Sequence, residues 1–183
     1  MRNNNDNSEK QQPPKELIEL QAVAEPGPKQ RGEAVEAQFI FRAVSLGFAV
    51  LKPWGDSSSY DAAIDHGHGF WRVQVKLTNR NHGSEYHLTL SGRGATYTKA
   101  EIDFVAAYVG PLDLWYILPV EIISSLAGVS LYPQIGSNSK YERYCEAWCL
   151  LDCPPHERGP KDIPTTCRCP ELAAHCPVCP LRK

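Results

Sequence analysis

The chain has 183 residues, a formal net charge of -2, 42% apolar residues and seven cysteines. That length supports one domain with a real core plus flanking segments, and the charge gives no global basic signal for nucleic acid. No apolar run is long enough to span a bilayer, and Met1-Arg2-Asn3-Asn4-Asn5-Asp6 lacks the apolar centre of a signal peptide; the expectation is a cytoplasmic protein with no membrane partner, its cysteines reduced or metal-bound.

Residues 1–31 are rich in Asn, Gln, Lys, Glu and Pro. They predict a disordered segment with a short helix at 15–24, closed by Pro26 and Pro28 acting as a linker. From Gly32 to Leu46 the residues Val35, Phe39, Val44 and Leu46, with Ile40 and Ala43, recur at helical spacing, and Gly47 fits the position just past the helix end. Glu33 and Glu36 fall in the first turn or so of that helix, where acids favour the helix dipole. A strand follows at Phe48 to Lys52, then a turn at Pro53-Trp54-Gly55-Asp56.

The next stretch is the most informative. Tyr60-Asp61-Ala62-Ala63-Ile64-Asp65 and Phe70-Trp71-Arg72-Val73-Gln74-Val75-Lys76 alternate with period two around His66-Gly67-His68-Gly69. This predicts a β-hairpin with Asp65 opposite Phe70 and Asp61 opposite Gln74. Asp61, Ala63 and Asp65 share one face, as do Gln74 and Lys76, while Ile64, Val73 and Val75 point toward a core. An acid, an amide and an ammonium on one side of a strand pair can hold a hard cation and a phosphoryl group. On the hairpin alone, a polar face meeting solvent is the better account, and other parts of the chain tip the balance. His66 and His68 read as solvated turn residues.

Further strands are predicted at Tyr86 to Leu90, Asp103 to Val109 and Leu114 to Leu118, the last two joined by Gly110-Pro111. A helical turn is expected at 99–102, a short helix at Val120 to Leu126 stopped by Gly128, and a helix at Tyr141 to Leu151 that puts Cys145, Cys149 and Cys153 on one buried side. Between residues 72 and 99, Arg72, Lys76, Arg80, Arg93 and Lys99 face Glu85 alone, a local balance of +4 that can track a phosphate backbone. Residues 152–183 form a Pro- and Cys-rich tail. There Cys167, Cys169, Cys176 and Cys179 bring four thiols into thirteen residues, too tight for a zinc ribbon but compatible with a Zn²⁺ knuckle; an unstructured tail fits the composition too. No phosphate-binding loop and no nucleophile elbow is present, so a nucleotide cofactor has no support.

Taken in order, Gly32-x-x-x-Glu36, Gly47-Phe48-x-Val50-x-x-Pro53-Trp54-Gly55-Asp56, Tyr60-Asp61-x-x-Ile64-Asp65 and Arg72-Val73-Gln74-Val75-Lys76 resemble the group I intron-associated (homing-type) endonucleases of the PD-(D/E)xK superfamily. They are similar, more distantly, to archaeal Holliday-junction resolvases. The resemblance covers about residues 32 to 120, within a domain expected at 32–151. It implies an α/β, restriction-endonuclease-like fold with a central mixed sheet flanked by helices, and Mg²⁺-dependent hydrolysis of DNA phosphodiesters, with Mn²⁺ as a substitute. It further implies that Glu36, Asp61 and Gln74 hold the metal with the Val75 carbonyl, that Lys76 acts on the attacking water or the phosphate, and that the protein self-associates. Two departures stand out. Tyr60 replaces the superfamily proline, and Gln74 replaces its acid, as in the intron-associated branch. The neutral Gln74 leaves a second reading, an inactive DNA-binding or assembly module on the same fold.

Overall fold

Helix α1 (Pro28–Ser45) lays Val35, Phe39 and Ala43 against the core. It begins four residues before the expected start. Pro28 is its first residue rather than part of a linker, because a helix start needs no N–H from that position. Glu33 and Glu36 therefore lie beyond the first turn, which carries no acid, and Glu33 pairs at 3.8 Å with Lys29. The other end is as expected. Gly47 takes φ +90°, its N–H donates to Val44 O, and Phe48 N–H donates to Ala43 O, which closes the last carbonyls. Val44, assigned from spacing to the apolar face, is 55% exposed. The computed structural model describes residues 26–55, 57–91, 96–133 and 139–152. The helix expected at 15–24, Arg93 with its loop, Cys153 and the four candidate zinc cysteines lie outside the described residues.

Five strands form the main sheet, in the order β1 (Ala49–Leu51), β2 (Ala62–Asp65), β3 (Phe70–Thr78), β6 (Phe104–Val109) and β7 (Leu114–Pro119). Only β3 and β6 run parallel; the other neighbours are antiparallel. The mixed sheet and α/β class are those expected. A second sheet joins β4 (Asn81–His82), β5 (Glu85–Thr89) and β8 (Gly128–Leu131). Helix α1 covers one face of the main sheet, over Ile64, Val73, Val75, Phe104, Ala106 and Ile117. The second sheet covers the other face, packing Tyr86, Leu88 and Leu131 on Val105, Ala107 and Leu118. With both faces covered, every residue of β6 is buried, which is why Phe104–Val109 reads as an unbroken apolar run.

Two expectations at the C-terminal side are corrected. The helix after β7 is a single turn, α2 (Val120–Ile123), and Gly128 opens β8 instead of ending a helix. Gly is required there because a Cβ would lie 2.8 Å from Leu88 O. The segment 141–151 is not one helix but two 3₁₀ turns, Glu142–Tyr144 and Trp148–Leu151. Between them Cys145 is extended and Glu146 has φ +51°. Tertiary bonds outweigh propensity here: Glu146 N–H donates to Trp115 O, and its carboxylate accepts from Trp115 N–H and Trp148 Nε1. Cys145 and Cys149 are buried thiols, as expected, but not on a shared helix side.

Candidate active site

The hairpin register is the expected one, with Asp65 opposite Phe70 and Ala62 opposite Val73. β2 starts at Ala62, so Asp61 sits one residue before it, while β3 runs on to Thr78. Past Val73, β3 has no β2 partner. The Val75 N–H aimed at that gap is taken by Asp61 Oδ2 at 2.7 Å, and Asp61 N–H donates to Val73 O at 2.9 Å. Asp61 thus turns its carboxylate into the mouth where two strands part.

Three more groups converge there. Gln74 Nε2 donates to Asp61 Oδ2 and, at 3.3 Å, to Val75 O. Lys76, on the same face as Gln74, lies close enough to act on Asp61 electrostatically and sits 5.4 Å from the centre of the Tyr97 ring. Glu36, midway along α1, reaches the mouth from the helix side, and its charge also acts on Asp61. Burial first, and then the nearby Glu36 carboxylate, push the Asp61 pKa from 3.8 to about 6, against the pull of the Val75 N–H, Lys76 and Lys52.

Lys52 is a member that sequence reading missed. Its Nζ is 2.9 Å from Glu36 Oε2, a bond that raises the lysine pKa despite partial burial. A lysine one residue past an apolar strand carries no signal of its own; only the fold puts it beside Glu36.

The oxygens gathered here fit a hard dication. Two carboxylates and the Val75 carbonyl are donors such an ion prefers, Gln74 presents its Nε2 to Asp61 and to that carbonyl, and the raised Asp61 pKa reflects burial first and then the neighbouring Glu36 carboxylate. Among the described residues no group of three His, Cys, Asp or Glu is placed to hold a metal.

The remaining candidates are scattered. Arg72 is committed elsewhere: its backbone N–H and Nε donate to Asp103 Oδ2 at 2.8 and 3.0 Å, and its terminal nitrogens reach Asp103 Oδ1 and the carbonyls of Lys99 and Ala100. Lys99 pairs with Glu121 at 2.8 Å on the surface, and Arg80 is exposed. Asp65 accepts from the Gly67 N–H and shapes the turn. His66 is half-buried and stacks on Trp71 at 4.6 Å, while His68 is exposed, so only the second is the solvated residue expected.

Comparison with known proteins agrees with this fold. A family model described as PD-(D/E)XK endonuclease matches residues 27–148. A solved bacterial homing endonuclease, I-Ssp6803I, is 31% identical, over 69% of this chain and 91% of that one, with a TM-score of 0.59. No curated protein matches the chain. Since the matched segment covers most of the chain, from the start of α1 to the first residue of the last 3₁₀ turn, the chain belongs to the PD-(D/E)XK endonuclease family.

Proposed function

We propose that this protein is a Mg²⁺-dependent DNA endonuclease whose site is Glu36, Asp61, Gln74, Val75 and Lys76. The observation that carries the reading is the half-buried Asp61 carboxylate, its pKa raised to about 6 beside Glu36, in a mouth it shares with Gln74 and Lys76. Asp61 and Glu36 would hold the cation, with the Val75 carbonyl and Gln74 Oε1; a half-turn of the amide exchanges its nitrogen for that oxygen. Bound there, magnesium or manganese supplies positive charge to the attacked phosphoryl group and makes a bound water more acidic.

Each residue has a separate task. Val75 N–H fixes the orientation of the Asp61 carboxylate. Lys76 carries its ammonium on the strand face next to Asp61, where it orients the attacking water or holds a phosphate oxygen as charge builds. The Tyr97 ring beneath it limits where that ammonium goes. Lys52 supplies the cation opposite Glu36 and stands ready to meet phosphate. Cutting both strands of a duplex requires two such sites, hence a self-associated form.

The neutral Gln74 favours a second reading, a DNA-binding module on the same fold without hydrolysis. Incubation of supercoiled plasmid with the protein and Mg²⁺ or Mn²⁺, beside Lys76→Ala, separates the two. Nicking by the wild type alone supports the nuclease. Salt-sensitive DNA binding with no nicking in either metal selects the inactive module.

A further inference from the structure

The turn beside this site presents an aromatic ring that the fold does not use. Trp54 is 99% exposed, whereas Trp71, Trp115 and Trp148 are 8%, 3% and 3% exposed. Isolated exposed apolar residues are ordinary on protein surfaces, but a tryptophan bare on all sides gives up the largest apolar burial any side chain offers. Its setting is stiff. Pro53 restricts the backbone before it, and Gly55 after it holds φ +78°, a conformation that other residues adopt only with strain.

Its position is set by the site. Lys52, two residues earlier, bonds to Glu36, and two residues of chain span no more than about 7 Å. Trp54 therefore sits on the loop that joins Lys52 to Asp61, its backbone within about 7 Å of that of Lys52. Cations that meet phosphate and bare aromatic faces that meet bases are the two elements by which proteins grip nucleic acid. The other exposed apolar side chains are less bare, Phe41 at 74%, Val44 and Phe70 at 55% and Leu51 at 46%, and Arg42 beside Phe41 faces Glu146 at 3.8 Å.

We infer that Trp54 is a nucleobase-stacking residue, which places its ring on a base step of bound DNA next to the phosphate handled by Asp61 and Lys76. This rests on the nuclease reading and adds to it a defined contact with the bases. The burial of the other three tryptophans makes the test direct. In the free protein, acrylamide-quenchable emission comes mainly from Trp54, and the difference between wild type and Trp54→Phe isolates it. A labelled mixed-sequence duplex in Ca²⁺ reports binding by anisotropy in the same samples.

The expected result has three parts. DNA shields Trp54 from acrylamide, Trp54→Ala weakens DNA binding by about tenfold, and Trp54→Phe, which keeps a ring, loses less. Circular dichroism melts of both variants match wild type, since nothing packs on this side chain. DNA binding that leaves Trp54 fully quenchable overturns the inference and leaves the nuclease reading standing. Shielding that appears without DNA and grows with protein concentration also overturns it, and assigns the ring to contact between copies of the chain. No DNA binding by any form defeats the proposed function and this inference with it.

Discussion

Arg72 and Lys76 stand four residues apart on one face of β3, and each has an aspartate within reach. Asp103 meets Arg72 with both oxygens, and the guanidinium also takes up two backbone carbonyls, so acid and base are satisfied together. Asp61 has no such partner. It accepts two N–H bonds, from Val75 and Gln74, faces a second carboxylate, and feels Lys76 only at a distance. The first pair ties β3 to the start of β6. The second leaves a half-buried acid that is easier to protonate than usual and an ammonium not locked to it. An acid matched bidentately is architecture, while one whose burial opposes its ionisation is a candidate functional group.

That contrast is broken most sharply by exchanging the consequences of mutation. Lys76→Ala or Asp61→Asn lowers plasmid nicking by about a hundredfold or more, the loss typical of removing one group that meets developing charge, while the thermal melt stays cooperative. Nicking at wild-type rate in either variant removes these residues from the chemistry. Arg72→Met does the opposite. It strands Asp103, and because the guanidinium is 31% exposed the cost is below that of a fully buried pair, about 2 kcal/mol by urea denaturation. Nicking per folded molecule holds. A fall in DNA affinity with unchanged stability reverses this assignment and returns Arg72 to the phosphate-tracking strip.

Much of this contrast was legible in the sequence, and the reasons are local. The period-two alternation around His66-Gly67-His68-Gly69 fixes the hairpin register, because a slip of one residue would turn Ile64, Val73 and Val75 out to water. Gly47 marks the end of α1 through its backbone alone. What could not be read depends on distant contacts. The tie of Arg72 to Asp103 joins residues 31 apart, so Arg72 looked as free as Lys76. Strand β8 was hidden because Gly128 signals both a helix stop and a close backbone approach. The 141–151 segment has helical spacing, and only its bonds to Trp115 break it.

The pH dependence of stability sharpens the Asp61 side. Its folded pKa of about 6 lies above the ordinary 3.8, so the folded state binds the extra proton between those values. The favourable contribution of protonated Asp61 is complete below about pH 4 and is lost as pH rises through about 6. Asn cannot ionise but still offers an oxygen to Val75 N–H. In EDTA, Asp61→Asn should match wild type near pH 4 and exceed it at pH 7.5 by about 1 kcal/mol, allowing for solvent screening at a partly exposed group. Equal urea midpoints at both pH values mean that Asp61 ionises in the fold as easily as in the open chain.

The finest comparison concerns what steadies Lys76. Where Arg72 is held by oxygens, Lys76 has the π face of Tyr97 at 5.4 Å, an attraction of about 0.5–1 kcal/mol at such sites. A ring confines the ammonium without neutralising it, leaving its charge for phosphate or water. Tyr97→Phe keeps the face and should leave kcat within twofold of wild type. Tyr97→Leu keeps apolar bulk but loses the face, and should lower kcat about two- to fivefold with KM for DNA little changed. The phenylalanine variant separates the ring from its hydroxyl: if it falls as far as leucine, the hydroxyl matters and the ring face does not hold the lysine. If neither variant changes kcat, Lys76 takes its working position from its strand alone.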